Sequence, residues 1–159
     1  MTKNIDAIIE IPYNTFIKYE YDKGKKRMRC DRILNTAMLY PGNYGYIPNT
    51  LASDGDALDI LVVCDYPLNS NTLIETKILG VLIMTDEKGL DEKIIAVPVD
   101  EIDSRYKDIN NLYDLSSVVL SKIKHFFEHY KDNEKDKWST VEDFKEKDYA
   151  LTLIEKYKI

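Results

Sequence analysis

Three carboxylates stand within six residues, in the stretch Asp54-Gly55-Asp56-Ala57-Leu58-Asp59, directly before the apolar run 60–64. No Lys or Arg lies within ten residues on either side of this stretch. Anions this close repel one another by roughly 1 kcal/mol or more per pair at the dielectric of a protein surface. A hard divalent cation is the natural partner of clustered carboxylate oxygens, although a solvated acidic turn has the same composition. On this stretch alone, both interpretations stay open.

A second acidic turn favours the metal site. Asp86, Glu87 and Asp91 lie where one strand is predicted to end and the next to begin. Glu10 and Glu20 occupy strand positions at which an apolar residue is expected. An all-oxygen ligand set without cysteine favours Mg²⁺ or Mn²⁺ over zinc.

Other metal motifs fit less well. An EF-hand loop beginning at Asp54 needs glycine at its sixth position, where Asp59 stands. A DxD phosphatase motif follows a buried strand, whereas here the strand comes after the aspartates. His125 and His129 have the spacing of a two-histidine site, but aromatic residues surround them and no Glu follows His125. A packing or subunit-contact role is favoured for this pair.

Four basic residues, Lys18, Arg32, Lys93 and Lys131, lie near the ends or polar faces of predicted elements. Each alone is an ordinary surface charge. The Gly- and Pro-rich segment 40–48 adds three tyrosines, which either pack or donate hydrogen bonds to a polar ligand. Carboxylate-held metals, cations and hydroxyl donors together suit phosphoryl transfer to water.

The elements that must position these residues follow from periodicity. Alternating or continuous apolar residues predict strands near 5–11, 16–21, 28–34, 60–64, 74–84 and 93–99, with a bend or bulge at Gly80. Segment 40–48 is predicted to be a loop. Helical periodicity predicts helices at about 116–131 and 145–157. Many short strands followed by two helices predict an α+β fold, a small closed barrel with the helices packed outside.

Length, composition and net charge place the chain in a broad class of proteins. Its 159 residues suit one domain, 1–159, and 44% hydrophobic with 31% charged residues indicates a globular protein. No apolar run approaches the ~20 residues needed to cross a membrane, and no signal peptide is evident. Cys30 and Cys64 are expected to be free and buried, which favours a reducing cytoplasm. A net charge of −6 argues against binding nucleic acid or anionic lipid.

With these residues assembled, the sequence resembles the family I soluble inorganic pyrophosphatases of the bacterial type, from about residue 9 to 138. The motifs that carry the resemblance are IEIP at 9–12, KYE at 18–20, DR at 31–32, TAM at 36–38, YPGNYGY at 40–46, the acidic stretch 54–59, GVL at 80–82, MTDE at 84–87 and FFEHYK at 126–131. The resemblance implies a five-stranded OB-like barrel and Mg²⁺-dependent hydrolysis of pyrophosphate to two phosphates.

The resemblance also implies the metal ligands. Asp54, Asp59 and Asp91 would hold the first ions, with Asp59 bridging two of them. Asp86 and Asp91 would hold an ion that arrives with the substrate. Several Mg²⁺ ions are therefore expected, with Mn²⁺ as a possible substitute. Glu10 and Glu20 would support this cluster of metal ligands.

By the same resemblance, Asp56 would be the general base that orients the attacking water. The residues expected to bind the phosphates are Lys18, Arg32, Tyr44, Tyr130 and Lys131, with Lys93 and Tyr40 close by. One position departs from the family pattern DGDPxD, because Ala57 replaces the proline. Since proline restricts a loop, alanine is expected to weaken Mg²⁺ affinity without abolishing activity.

The bacterial relatives imply a hexamer, with the His125/His129 helix as a plausible contact. The sequence leaves two alternatives to a pyrophosphatase. An OB-type module that binds nucleotides or nucleic acid would need a basic groove with stacking aromatics, whereas this chain gathers carboxylates. The second alternative is an enzyme that hydrolyses organic phosphoanhydrides.

Overall fold

A computed structural model describes residues 4–159. These residues form eight strands and two helices, with short 3₁₀ turns at Ser104–Tyr106 and Leu112–Asp114. The strands are β1 (Asn4–Ile11), β2 (Ile17–Asp22), β3 (Arg27–Ile33), β4 (Asn43–Tyr46), β5 (Asp59–Val62), β6 (Thr72–Asp86), β7 (Gly89–Pro98) and β8 (Ser139–Glu146). The helices are α1 (Ser117–His129) and α2 (Lys147–Tyr157).

The main sheet has the strand order β1-β4-β5-β7-β6-β8, and β1 pairs with β6 as well as with β4. Strand pairing therefore runs from β1 through β4, β5, β7 and β6 and returns to β1. The pairs are antiparallel except for β5 with β7, which are parallel. Strands β2 and β3 form a separate antiparallel hairpin.

Two apolar clusters cover the faces of this sheet. Period-two alternation sends Ile60 and Val62 of β5 into the cluster that includes α2, and Leu61 into the cluster that includes α1. Strands β6 and β7 are buried along most of their length, because apolar partners lie on both of their faces. This buried sheet is a rigid base for the polar residues at its strand ends.

Most predicted elements are confirmed, with a few corrections. The register shift between Ile78 and Gly80 is the expected bulge. Segment 40–48 is not all loop, because β4 lies inside it and is paired on both sides. Strand β8 was missed: only its pairing with β6 distinguishes its polar sequence from a loop or the start of a helix. The first helix ends at His129 and the second begins at Lys147.

The expectation that both cysteines are buried is wrong for one of them. Cys64 is buried, whereas Cys30 is exposed, and both are free. Cys30 lies on the β2–β3 hairpin, which the main sheet does not include. Within residues 4–159, neither helix is long and apolar enough to cross a bilayer.

Candidate active site

One cavity of about 520 Å³ brings the candidate residues together. It lies where β5 begins, β6 ends and β7 begins. All fourteen residues expected in the site line this cavity: Glu10, Lys18, Glu20, Arg32, Tyr40, Tyr44, Asp54, Asp56, Asp59, Asp86, Asp91, Lys93, Tyr130 and Lys131. Their individual roles stay predictions.

Sheet register explains why carboxylates that are far apart in sequence meet here. Asp59 at the start of β5 pairs with Lys93 of the parallel strand β7. Asp91 pairs with Met84 of β6, two residues before Asp86 at the end of that strand. A tight turn between β6 and β7 then places Asp86 and Asp91 at the same end of the sheet as Asp59.

Lys93 is the cation at the centre of this group. Its ammonium donates to Asp59 Oδ2 at 2.8 Å and to Tyr44 Oη at 2.6 Å, and it lies 2.9 Å from Asp91 Oδ2. It also lies 5.6 Å from the centre of the Phe127 ring. Burial alone would lower the pKa of Lys93, but Asp59, Tyr44 and Asp91 raise it well above its ordinary value. Lys93 is therefore charged and holds two of the predicted metal ligands.

Burial also acts on the carboxylates. It raises the pKa of Asp91 to about 6 against the attraction of Lys93, and nearby Asp59 adds to the rise. Burial likewise raises the pKa of Glu10, although the Tyr21 N–H donates to its Oε2 at 3.1 Å. The pKa of Asp54 is raised by partial burial and by its acidic neighbours. A bound cation would stabilise the charged form of all three.

The donor set fits a hard divalent cation, since it consists of carboxylate oxygens. Within residues 4–159, however, no three His, Cys, Asp or Glu side chains are already arranged to hold one ion. Lys93 lies between Asp59 and Asp91 and neutralises part of their charge. A bound ion would therefore place a second positive charge beside these two carboxylates.

The acidic stretch forms a closed loop before β5. Within the loop, the Asp56 N–H donates to Asp54 Oδ1 at 3.0 Å. Gly55 has a φ of +88°, a backbone conformation that glycine adopts readily. The Thr50 hydroxyl accepts from the Leu58 N–H at 2.9 Å and closes the base of the loop. Asp54 and Asp56 are exposed at its tip.

Basic residues line the part of the cavity formed by β2, β3 and the segment after α1. Lys131 reaches Asp86 and Glu87, each at 3.1 Å, and is itself buried. Lys18 and Arg32 pair across the β2–β3 hairpin. The Arg32 Nε atom is buried without a hydrogen-bond partner among the described residues, so it can donate to a ligand.

A bulge determines where Arg32 points. Strict alternation would have put Arg32 on one face of β3 with Cys30 and Met28. Instead the register shifts between Lys18 and Tyr19, so that Asp31 has no direct partner and alternation is broken. Arg32 lines the cavity, whereas Cys30 does not.

Three tyrosines and two phenylalanines form the wall beside Lys93. Tyr40 packs 4.6 Å from Phe126 and 5.4 Å from Tyr44, and Phe126 stacks on Tyr130 at 5.2 Å between ring centres. Burial raises the pKa of Tyr40, Tyr44 and Tyr130, which keeps their hydroxyls protonated. These hydroxyls are therefore donors in the cavity at neutral pH.

Sequence reasoning missed further cationic residues. Lys135 and Lys137 also line the cavity. Partial burial and the nearby Arg32 and Lys18 charges lower the pKa of Lys137, which shows how positive this side is. The closely spaced lysines of segment 131–137 are the sequence signal that could have identified them.

The histidine pair lies away from this cavity. His125 and His129 are exposed on α1, with ring centres 4.7 Å apart, and His129 Nδ1 lies 2.8 Å from Asp132 Oδ2. Neither histidine lines the cavity.

Comparison with known proteins shows the family of the chain. The family described as Inorganic pyrophosphatase matches residues 7–158. The inorganic pyrophosphatase of Campylobacter jejuni is 50% identical over 152 residues, which cover 96% of this chain and 88% of that protein. The inorganic pyrophosphatase of Pseudomonas aeruginosa is 50% identical over 157 residues, which cover 98% of this chain and 90% of that protein.

Solved structures show the same fold. The Helicobacter pylori inorganic pyrophosphatase has a TM-score of 0.95 and 44% identity, covering 98% of this chain and 91% of that one. The Thermus thermophilus inorganic pyrophosphatase has a TM-score of 0.92 and 41% identity, and the match covers 96% of this chain and 87% of that one. The chain therefore belongs to the inorganic pyrophosphatase family, as a family I enzyme of the bacterial type.

Proposed function

We propose that this protein hydrolyses inorganic pyrophosphate to two orthophosphates in a Mg²⁺-dependent reaction, with Asp56 as the general base. One observation carries the proposal: a single cavity holds carboxylates at one side and cations with hydroxyl donors at the other. An anionic substrate cannot lie against so many carboxylates unless cations neutralise them. Lys93 and Lys131 are already engaged by acidic residues, so bound metal ions would supply the further positive charge on the carboxylate side of the cavity.

The residues that would hold Mg²⁺ are Asp54, Asp59, Asp86 and Asp91, supported by Glu10 and Glu20. When bound, the ions would lower the pKa of water and neutralise charge on the phosphates. Mn²⁺, which also favours oxygen ligands, is a possible substitute.

Asp56 would take the proton of the attacking water. It is exposed at the tip of the acidic loop and lines the cavity, and its backbone N–H donates to Asp54 Oδ1. As the water oxygen forms a bond to one phosphorus, the bond from that phosphorus to the bridging oxygen breaks, and the second phosphate leaves.

The cationic side would bind the phosphates and stabilise the charge that develops on the leaving group. Arg32 has an unused buried donor, and Lys18 lies beside it. Tyr44 and Tyr130 present protonated hydroxyls, with Tyr40 packed behind them. Lys131 would exchange part of its contact with Asp86 for a phosphate oxygen.

Phosphate release from pyrophosphate, measured with and without Mg²⁺ on the wild type and on Asp56→Asn, tests this proposal. We expect Mg²⁺-dependent release by the wild type and a loss of about 10²–10⁴-fold in kcat for Asp56→Asn, the range for a general base. Activity without any divalent metal, or full activity of Asp56→Asn, would contradict the mechanism. Faster release from ATP than from pyrophosphate would instead favour an organic phosphoanhydride as the substrate.

We also propose that the ring of strand pairings is an OB-like closed five-stranded barrel within one domain, 1–159. The return of pairing from β6 to β1 supports the barrel. A homohexamer and a cytoplasmic location are proposed on the family resemblance, and the two free cysteines support a reducing compartment. The net charge of −6 argues against nucleic acid as a partner.

A further inference from the structure

A hydrogen-bond chain that the mechanism above does not use joins the last helix to both acidic segments of the cavity. Tyr157 at the end of α2 donates from its hydroxyl to Glu92 Oε1 at 2.8 Å. The Ser53 hydroxyl lies 2.9 Å from the same Tyr157 oxygen. Because the single phenolic proton points to Glu92, Ser53 is the donor in the second bond.

The members of this chain are direct neighbours of predicted metal ligands. Ser53 precedes Asp54 in the acidic loop, and Glu92 follows Asp91 on β7. Along β7 successive side chains alternate, so Asp91 lines the cavity whereas Glu92 does not and instead bonds to Tyr157 of α2. Glu92 and Tyr157 are 6% and 7% exposed, which makes their bond a buried one.

Backbone contacts strengthen the same connection. The Leu51 N–H donates to the Tyr157 carbonyl at 2.8 Å, and the Ile159 N–H donates to the Asn49 carbonyl at 3.1 Å. The segment that leads into the acidic loop is therefore held on the end of α2, while the Tyr157 hydroxyl holds the loop itself through Ser53.

We propose that Tyr157 is a positioning residue for the metal site, which holds the Asp54 loop and the start of β7 at a fixed separation through Ser53 and Glu92. This inference rests on the proposed function, because it concerns how the ligands of Mg²⁺ are oriented. Outer hydrogen bonds that orient ligating carboxylates raise the affinity for the metal. Loss of the Tyr157 hydroxyl removes the link between Ser53 and Glu92 and weakens Mg²⁺ binding.

The test compares Tyr157→Phe and Ser53→Ala with the wild type by calorimetric titration of Mg²⁺ in the absence of substrate. We expect the Kd for Mg²⁺ to rise about three- to tenfold in each variant. In pyrophosphate hydrolysis, the Mg²⁺ concentration for half-maximal rate should rise by a similar factor, and kcat at saturating Mg²⁺ should fall by less. Ser53 is exposed, so its variant keeps the test valid even if Tyr157→Phe lowers stability.

Tyr106→Phe is the matched control. Tyr106 is 8% exposed and its hydroxyl accepts from the Asp65 N–H at 3.1 Å, and neither residue lines the cavity. Its Mg²⁺ affinity should equal that of the wild type. Unchanged Mg²⁺ affinity in both Tyr157→Phe and Ser53→Ala, or an equal loss in Tyr106→Phe, would overturn the positioning role. A wild type that does not hydrolyse pyrophosphate with Mg²⁺ would instead refute the proposed function, while the calorimetric comparison would still decide this inference.

Discussion

At the residue scale, the acidic site is built around a buried cation. Lys93 contacts Asp59, Asp91 and Tyr44 at hydrogen-bond distance and is 3% exposed. Without this ammonium, two carboxylates would face each other in a partly buried place, which costs several kcal/mol. Lys93 thus makes the acidic cluster compatible with a folded protein before any metal binds.

Lys93→Met should therefore destabilise the protein most strongly when Mg²⁺ is absent. We expect the free energy of unfolding to fall by about 3–5 kcal/mol, the cost of leaving a buried charge unpaired. Added Mg²⁺ should restore part of this loss, because a ligand that binds only the folded state stabilises it. Urea unfolding followed by circular dichroism, with and without Mg²⁺, measures both effects.

Lys77→Met is the control for that experiment. Lys77 also pairs with a carboxylate, Asp100 at 2.8 Å, and donates to the Tyr106 carbonyl, but it does not line the cavity. Lys77→Met should lower the free energy of unfolding by the same amount with and without Mg²⁺. Equal rescue of both variants by Mg²⁺ would count against the role assigned to Lys93.

Ala57 is the second residue of interest, since it stands where the family pattern has proline. Its N–H donates to no acceptor among residues 4–159, so proline would remove no hydrogen bond here. Ala57→Pro should restrict the free loop and lower the Kd for Mg²⁺ by about two- to fivefold. Ala57→Gly, which loosens the same backbone, should raise it. Calorimetric titration gives both values, and an unchanged or weaker affinity in Ala57→Pro would refute the idea.

At the scale of elements, the cavity depends on how closely β4 approaches β1. Gly45 pairs with Ile9, and a Cβ added at Gly45 would overlap the carbonyl oxygen of Ile8. The preceding residue, Tyr44, accepts a hydrogen bond from Lys93. A four-residue strand can hold its place only because it is paired on both sides.

Gly45→Ala should separate β1 from β4 and disturb the Tyr44 wall of the cavity. We expect a loss of at least about 2 kcal/mol in the free energy of unfolding, as for overpacking in a core. Gly24→Ala is the control, because a Cβ there would meet only the Asp22 side chain at an ordinary 3.4 Å. Thermal unfolding of the two variants measures the difference, and similar melting temperatures would contradict the tight β1–β4 contact.

At the scale of the whole molecule, the cavity lies at the shared end of β5, β6 and β7, between the β2–β3 hairpin and the segment after α1. The apolar clusters on the two faces of the sheet hold these strands, so the polar residues at their ends keep their separation. The exposed His125 and His129 remain on the outer face of α1, away from the site.

The proposed assembly is testable at this scale. A hexamer should have six times the 18.5 kDa mass of the chain in light scattering at micromolar concentration. If α1 is a contact, His125→Glu combined with His129→Glu should reduce the mass by placing like charges across the interface. A monomer in the wild type would refute the hexamer, and an unaffected hexamer in the double variant would exclude this helix face as its contact.

Local features of the sequence were enough to predict most of the fold and the residues that line one cavity, whereas the roles of those residues stay predictions. Strands β1, β5, β6 and β7 alternate or are continuously apolar, and α1 has a clear apolar stripe, so periodicity alone located them. The acidic residues of 54–59 and 86–91 were predicted to bind metal because carboxylates so close together repel one another, and that role stays a prediction. Strand β8 and the short β4 were not predictable in this way, since neither has an apolar pattern of its own.

The sequence by itself determined the chemistry of the site: an all-oxygen donor set, a group of cations and the family to which the motifs belong. Only the tertiary structure decided how these groups are held. The parallel register of β5 and β7 places Lys93 beside Asp59, the bulge at Asp31 directs Arg32 into the cavity, and the end of α2 anchors the acidic loop through Tyr157. These arrangements depend on pairings between residues far apart in the chain, and local sequence patterns do not specify such pairings.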